Sequence, residues 1–156
     1  MLHLVRHAKA GSRSVRAADE LSRPLTQAGR TQALAVAERL STDSLISRSL
    51  ISSPSLRCVQ TLEPLAAQIG GAVVVDERLA EGARFEGALL LLASVPDGSV
   101  LCSHGDVIPA TIDALVRRGC EIIGEPDWRK ASVWLLRRGD DGDIVEATAW
   151  PPPLPA

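Results

Sequence analysis

The chain has 156 residues, of which 46% are hydrophobic and 23% charged, the balance of a single ordinary globular domain. That composition excludes a disordered chain, a collagen-like repeat and a disulfide-dense secreted scaffold. The net charge of −2 supplies no global basic field toward a nucleic acid polymer or anionic lipid.

Residues 2–5 read as a short buried strand that stops at Arg6-His7-Ala8, and a loop rich in Gly, Ser and Arg follows through Arg16. Thr26 is placed to cap a helix over 27–40, with apolar positions at Leu34, Val36, Ala37 and Leu40. Residues 48–52 read as a second strand ending at Ser53-Pro54. A helix follows over 55–69, closed by Gly70-Gly71. A β-branched strand spans 72–75, a loop covers 76–87, and an apolar helix lies near 88–93. After a Pro96-Asp97-Gly98 turn, a strand over 99–102 ends at Ser103-His104-Gly105. A helix is predicted over 107–118, and strands over 131–137 and 144–149 flank a turn at 139–143.

Strands alternating with helices predict an α/β fold. We expect a three-layer sandwich with a mostly parallel sheet, an antiparallel edge and helices on both faces. Residues 1–150 form the expected domain, and 151–156 a Pro-rich tail. Residues 1–5 are too short for a signal peptide, and the longest apolar run, 88–93, is too short for a membrane span. Three cysteines at irregular spacing (Cys58, Cys102, Cys120) fit a reducing compartment. The expectation is a cytoplasmic protein with no membrane partner.

In such sheets ligands bind beyond the carboxyl ends of the strands. Arg6, His7, Arg57 and His104 all follow predicted strand ends, so they share one rim. Two arginine forks can grip one phosphate bidentately. A histidine can accept a phosphoryl group and pass it to water. Surrounding positive charge lowers its pKa and keeps it nucleophilic. Glu81, after the third strand, is placed to protonate a leaving group. Taken singly, each has a bland reading as a surface ion pair, a packed histidine or a solvated carboxylate.

Leu4-Val5-Arg6-His7-Ala8 resembles the Arg-His-Gly signature of the histidine phosphatase (phosphoglycerate mutase-like) superfamily, with Ala8 at the glycine position. The segments 51–61, 79–82 and 102–105 resemble its second-arginine, acid-bearing and second-histidine motifs. The similarity in order and spacing runs from Leu2 to about Leu136. It implies that His7 is the phosphorylated nucleophile, that Arg6, Arg57 and His104 form the phosphate pocket, and that Glu81 is the proton donor. It implies no metal and no cofactor. Gly105 stands between His104 and Asp106, which favours Glu81 over Asp106 as the acid.

Two short branches are similar. Residues 19–26 and Gly29 resemble SixA-type phosphohistidine phosphatases, whose partner is a phosphohistidine protein. Residues 10–12, 57–66, 107–109 and 129–134 resemble the phosphatase domain that follows a Nudix domain in some bacterial proteins, which handles nucleotide-type phosphates. Glu81 favours the second, because a phosphohistidine leaving group needs less protonation than an alcohol. Lys130 and Arg13 are candidate substrate contacts, and Trp128 a candidate stacking face or packing residue. The expected activity is metal-independent hydrolysis of small phosphate monoesters or nucleotide-like phosphates through a phosphohistidine at His7. The enzymatic alternative is a protein phosphohistidine phosphatase, and the non-enzymatic one a phospho-ligand binding module.

Other chemistries are excluded. Pro64, Ile108 and Pro126 stand where a Cys-x5-Arg phosphatase needs arginine. Gly82 and Gly87 have P-loop spacing, but Ala88 replaces the required lysine. His3 and His7 have a helical zinc spacing but lie on a strand. Cys58 reads as packing, and residues 140–143 as a turn.

Overall fold

The structure is a computed structural model and describes residues 1–153. Its strands are β1 (Leu2–Arg6), β2 (Ser49–Ser52), β3 (Ala72–Val75), β4 (Val100–Ser103), β5 (Glu121–Ile123), β6 (Val133–Arg138) and β7 (Ile144–Trp150). The helices are α1 (Ala17–Leu21), α2 (Gln27–Ser41), α3 (Leu56–Ile69), α4 (Phe85–Ser94) and α5 (Val107–Arg117), with a 3-10 turn at Glu77–Leu79. All seven strands form one sheet in the order β3-β2-β4-β1-β6-β7-β5. The β3, β2, β4 and β1 neighbours run parallel, and β6 lies antiparallel to both β1 and β7.

Parallel strands need apolar cover on both faces, and the alternation along β1 supplies it. Val5 packs with α2 and α3 through Val36, Leu40, Leu62 and Leu65. Leu2 and Leu4 pack on the opposite face with α4 and α5 through Leu89, Leu92, Ile108 and Ile112. Each such leucine or valine, fully buried, contributes about 1.5–3 kcal/mol.

Helix ends follow local chemistry. Thr26 Oγ1 accepts from the Gly29 N–H at 3.0 Å, capping α2 as read from the sequence. Gly70, at φ 68°, takes the left-handed conformation that closes α3.

Two elements escaped the sequence reading. Helix α1 has five residues and buries none of them, so it carries no apolar stripe. Strand β5 has three residues, none fully buried, and pairs parallel with β7 outside the β6–β7 hairpin. The predicted helix near 88–93 begins earlier, at Phe85, one residue after the Arg84 cap. Of the predicted tail, Pro152 is buried, and residues 154–156 lie outside the described residues.

The register sets the site. Arg6 pairs with Ser103, and Ser52 with Cys102, so β1, β2 and β4 end almost level. The next residues are His7, Ser53 and His104. Their backbones are laced by His7 N–H to Ser103 O at 3.1 Å and Ser53 N–H to Cys102 O at 3.0 Å.

Candidate active site

The strand ends open into a cavity of about 570 Å³ lined by Arg6, His7, Arg13, Glu81, His104 and Lys130, together with Gly11, Arg23, Gly105 and Asp106. Six of the seven residues singled out from the sequence therefore border one cavity. Arg57 lines an adjoining depression that shares Glu81.

His7 is buried, and its Nδ1 lies 2.8 Å from Ala8 O. A carbonyl only accepts, so Nδ1 carries the proton and Nε2 holds the free lone pair. Burial pushes the imidazole pKa down to about 3, with the charges of His104, Arg57 and Arg6 adding to the effect. The sequence reading assigned this shift to positive charge; desolvation is the larger cause. The His7 and His104 rings meet edge to face, with centroids 5.3 Å apart.

His104 is held from three sides. Ser53 Oγ lies 2.8 Å from Nε2, and Arg57 Nη2 lies 3.4 Å from Nδ1. Cys58 Sγ sits 3.5 Å from Nε2 and is fully buried, which supports its packing role. Burial raises the Cys58 thiol, but hydrogen bonds from Cys102 and His104 outweigh this and lower it.

Arg57 is 1% exposed. Its Nη1 donates to Glu20 O at 2.8 Å and its Nη2 to Glu81 Oε2 at 2.9 Å. Glu81 also accepts from Arg13 Nη2 at 2.7 Å. Burial pushes the Glu81 carboxyl up, but the Arg13 bond and the charges of Arg57, Arg13 and His104 hold it below the usual range. Without substrate Glu81 is therefore a carboxylate bridging two arginines, not a proton donor.

Arg6 Nη1 donates to Trp128 O, and its buried Nε has no hydrogen-bond partner among the described residues. Gly105 makes room for it: a Cβ there would meet Arg6 Cζ at 2.7 Å. Trp128 packs on Trp134 at 4.9 Å between ring centroids. Asp106 caps α5 by accepting from the Val107 N–H, and it also accepts from the Gly82 N–H at 2.8 Å, fixing the loop that carries Glu81.

Sequence reasoning missed Glu20, Arg23 and Ser53 as site residues. Glu20 pairs with Arg23 at 3.1 Å, accepts from the Ser14 N–H and gives its carbonyl to Arg57. The available signal was the run 19–26, whose resemblance to SixA-type phosphatases gives neither charge a role; α1 buries no residue, so no periodicity marks it.

A model of the histidine phosphatase superfamily (branch 1) matches residues 2–88. The 8-oxo-(d)GTP phosphatase of Mycolicibacterium smegmatis is 33% identical over 96% of this chain. The chain spans about half of that relative's length, 48%. A protein histidine phosphatase SixA solved with tungstate superposes with a TM-score of 0.72 at 22% identity, over 96% of this chain and 93% of that one. A mycobacterial glucosyl-3-phosphoglycerate phosphatase superposes with a TM-score of 0.67 at 20% identity, over 95% of each chain. At these identities the two structures speak for the fold. No described helix is long and apolar enough to cross a membrane.

Proposed function

The chain belongs to the histidine phosphatase superfamily, a phosphatase by class, and from that premise we propose that it hydrolyses small phosphate monoesters or nucleotide-like phosphates through a phosphohistidine on His7. The observation that carries this reading is the tautomer of His7. With Nδ1–H fixed to Ala8 O, Nε2 is the unprotonated nitrogen of a side chain that lines the cavity.

In the first step Nε2 attacks phosphorus, an N–P bond forms and the ester P–O bond breaks. The incoming phosphate dianion draws Arg57 away from Glu81 and raises its carboxyl pKa, so that Glu81 takes up a proton and passes it to the departing oxygen. Arg6, Arg57 and His104 stabilise the transferring oxygens. Water then attacks the phosphohistidine, giving its proton to Glu81 and releasing inorganic phosphate. Arg13 lines the same cavity, and its bond to Glu81 places its guanidinium beside the departing group. A nucleotide-like substrate draws support from the relative named an 8-oxo-(d)GTP phosphatase. Three free, buried cysteines among the described residues support a cytoplasmic setting.

A second reading, removal of phosphate from a phosphohistidine protein, draws on the deprotonated Glu81, since that leaving group needs little acid help. The test is p-nitrophenyl phosphate hydrolysis in EDTA by wild type and His7→Ala, followed by an ester panel and a phosphorylated phosphotransfer domain. Wild-type turnover lost in His7→Ala supports the proposal. Turnover within tenfold of wild type in His7→Ala overturns the nucleophile assignment. Faster reaction with the phosphoprotein than with any ester selects the second reading.

A further inference from the structure

The cavity holds more cationic side chains than one phosphoryl group uses. Arg13 is matched to Glu81 at 2.7 Å and Arg23 to Glu20 at 3.1 Å. Arg6 lines the cavity beside His7 and is assigned above to the transferring phosphoryl group. Lys130 lines the same cavity and has no hydrogen-bond or ion-pair partner among the described residues. Burial lowers its pKa, and Arg6, Arg23, Arg13 and Lys9 lower it further by repulsion. An ammonium set among like charges repels them, and an anion bound there relieves the repulsion.

Lys130 is not a free loop lysine. The next residue, Ala131, adopts φ 68°, a left-handed conformation that is unfavourable for a residue with a β-carbon. It is held there by its N–H, which lies 3.1 Å from Arg6 O and 3.2 Å from His7 O. On the other side, Arg129 is fixed to Asp127, and Trp128 O takes the Arg6 guanidinium. The strained corner is thus bonded to the backbone of the nucleophile itself, and backbone strain of this kind concentrates at functional sites.

We propose that Lys130 binds a second phosphoryl group of the substrate while the first is transferred to His7, so that the pocket selects diphosphates or bisphosphates over lone monoesters. This rests on the phosphatase reading above and narrows its substrate class. A cavity of about 570 Å³ is in the range of whole small-molecule sites, beyond the needs of one phosphate.

Calorimetry with two probes tests the binding claim without turnover. Wild type should bind imidodiphosphate at least about tenfold more tightly than orthophosphate, a margin of about 1.4 kcal/mol. Lys130→Met should lose that margin and Lys130→Arg should keep it. An equal margin in wild type and Lys130→Met overturns the proposal. Because neither probe needs to react, this failure is distinct from an absence of ester hydrolysis, which would overturn the phosphatase reading alone. Kinetics then sort the two geometries. A preference in kcat/KM for ADP over AMP that shrinks in Lys130→Met identifies a diphosphate, the leaving-group difference being common to both proteins. A preference for adenosine 3′,5′-bisphosphate over AMP that shrinks in Lys130→Met identifies a bisphosphate. Equal values for all three overturn the assignment.

Discussion

Arg57 Nη2 and Glu81 Oε2 lie 2.9 Å apart, so the guanidinium expected to hold a phosphoryl oxygen is already held by the carboxylate expected to supply the leaving-group proton. Without substrate the two roles exclude each other. An incoming phosphate dianion competes for Arg57 and places negative charge beside Glu81, and both effects raise the carboxyl pKa. Glu81 should therefore titrate higher in a complex with vanadate or tungstate than in the free protein. Carbon-detected NMR of the Glu81 carboxyl, assigned with Glu81→Gln, reads this directly. An unchanged or lower pKa in the complex would remove the proposed route by which Glu81 becomes an acid.

The same relationship predicts a leaving-group dependence. General acid help contributes about a hundredfold or more when the departing oxygen is basic, and little when it is already stable. Glu81→Gln should lower kcat/KM for an alkyl phosphate by about a hundredfold and for p-nitrophenyl phosphate by less than about tenfold. Equal loss on both would mean that Glu81 only positions Arg57.

The rim was legible in the sequence because its residues follow strand ends, and strands β1, β2 and β4 are apolar runs with clear stops. Level strand ends bring His7, Ser53 and His104 together, which no single segment announces. Glu20 and Arg23 stayed hidden for a physical reason. Helix α1 buries no residue, so no periodicity marks it, and its contribution is a carbonyl oxygen given to Arg57. The cause of the His7 shift was also out of reach, because desolvation depends on what surrounds the ring in three dimensions. Strand β5 was missed because three half-exposed residues carry no usable alternation.

The two buried histidines on and after β1 predict how stability depends on pH. Burial lowers His3 and holds His7 at about 3, against an ordinary value of 6.5. Between these values the unfolded chain binds a proton at His7 and the folded chain does not, and the lowered His3 acts in the same direction. Their contribution to stability is thus complete above about pH 6.5 and is lost as pH falls toward the folded values. Each histidine adds a slope of up to about 1.4 kcal/mol per pH unit. Chemical denaturation followed from about pH 7 down to about pH 5 should show stability falling, and His3→Leu should make the fall shallower. A pH-independent stability over that window would overturn the depressed values.

Two glycines separate architecture from chemistry. A Cβ at Gly29 would sit 1.9 Å from Lys9 O, a backbone atom whose loop is also held by the Thr26 N–H at 3.0 Å. Backbone cannot retreat without breaking that joint, so Gly29→Ala should destabilise by about 2–3 kcal/mol. A Cβ at Gly105 would meet Arg6 Cζ at 2.7 Å, but this is the far end of a flexible side chain. Arg6 can swing away, and the fold then survives with a displaced phosphate ligand. Gly105→Ala should keep stability within about 1 kcal/mol of wild type while lowering kcat/KM tenfold or more, because a shift of about 1 Å in a positioning group costs up to about a hundredfold in rate. Thermal melts beside initial rates decide the point. A Gly105→Ala protein that melts early would mean that Arg6 cannot swing away, and one that turns over at the wild-type rate would mean that the close approach to Arg6 has no part in holding phosphate.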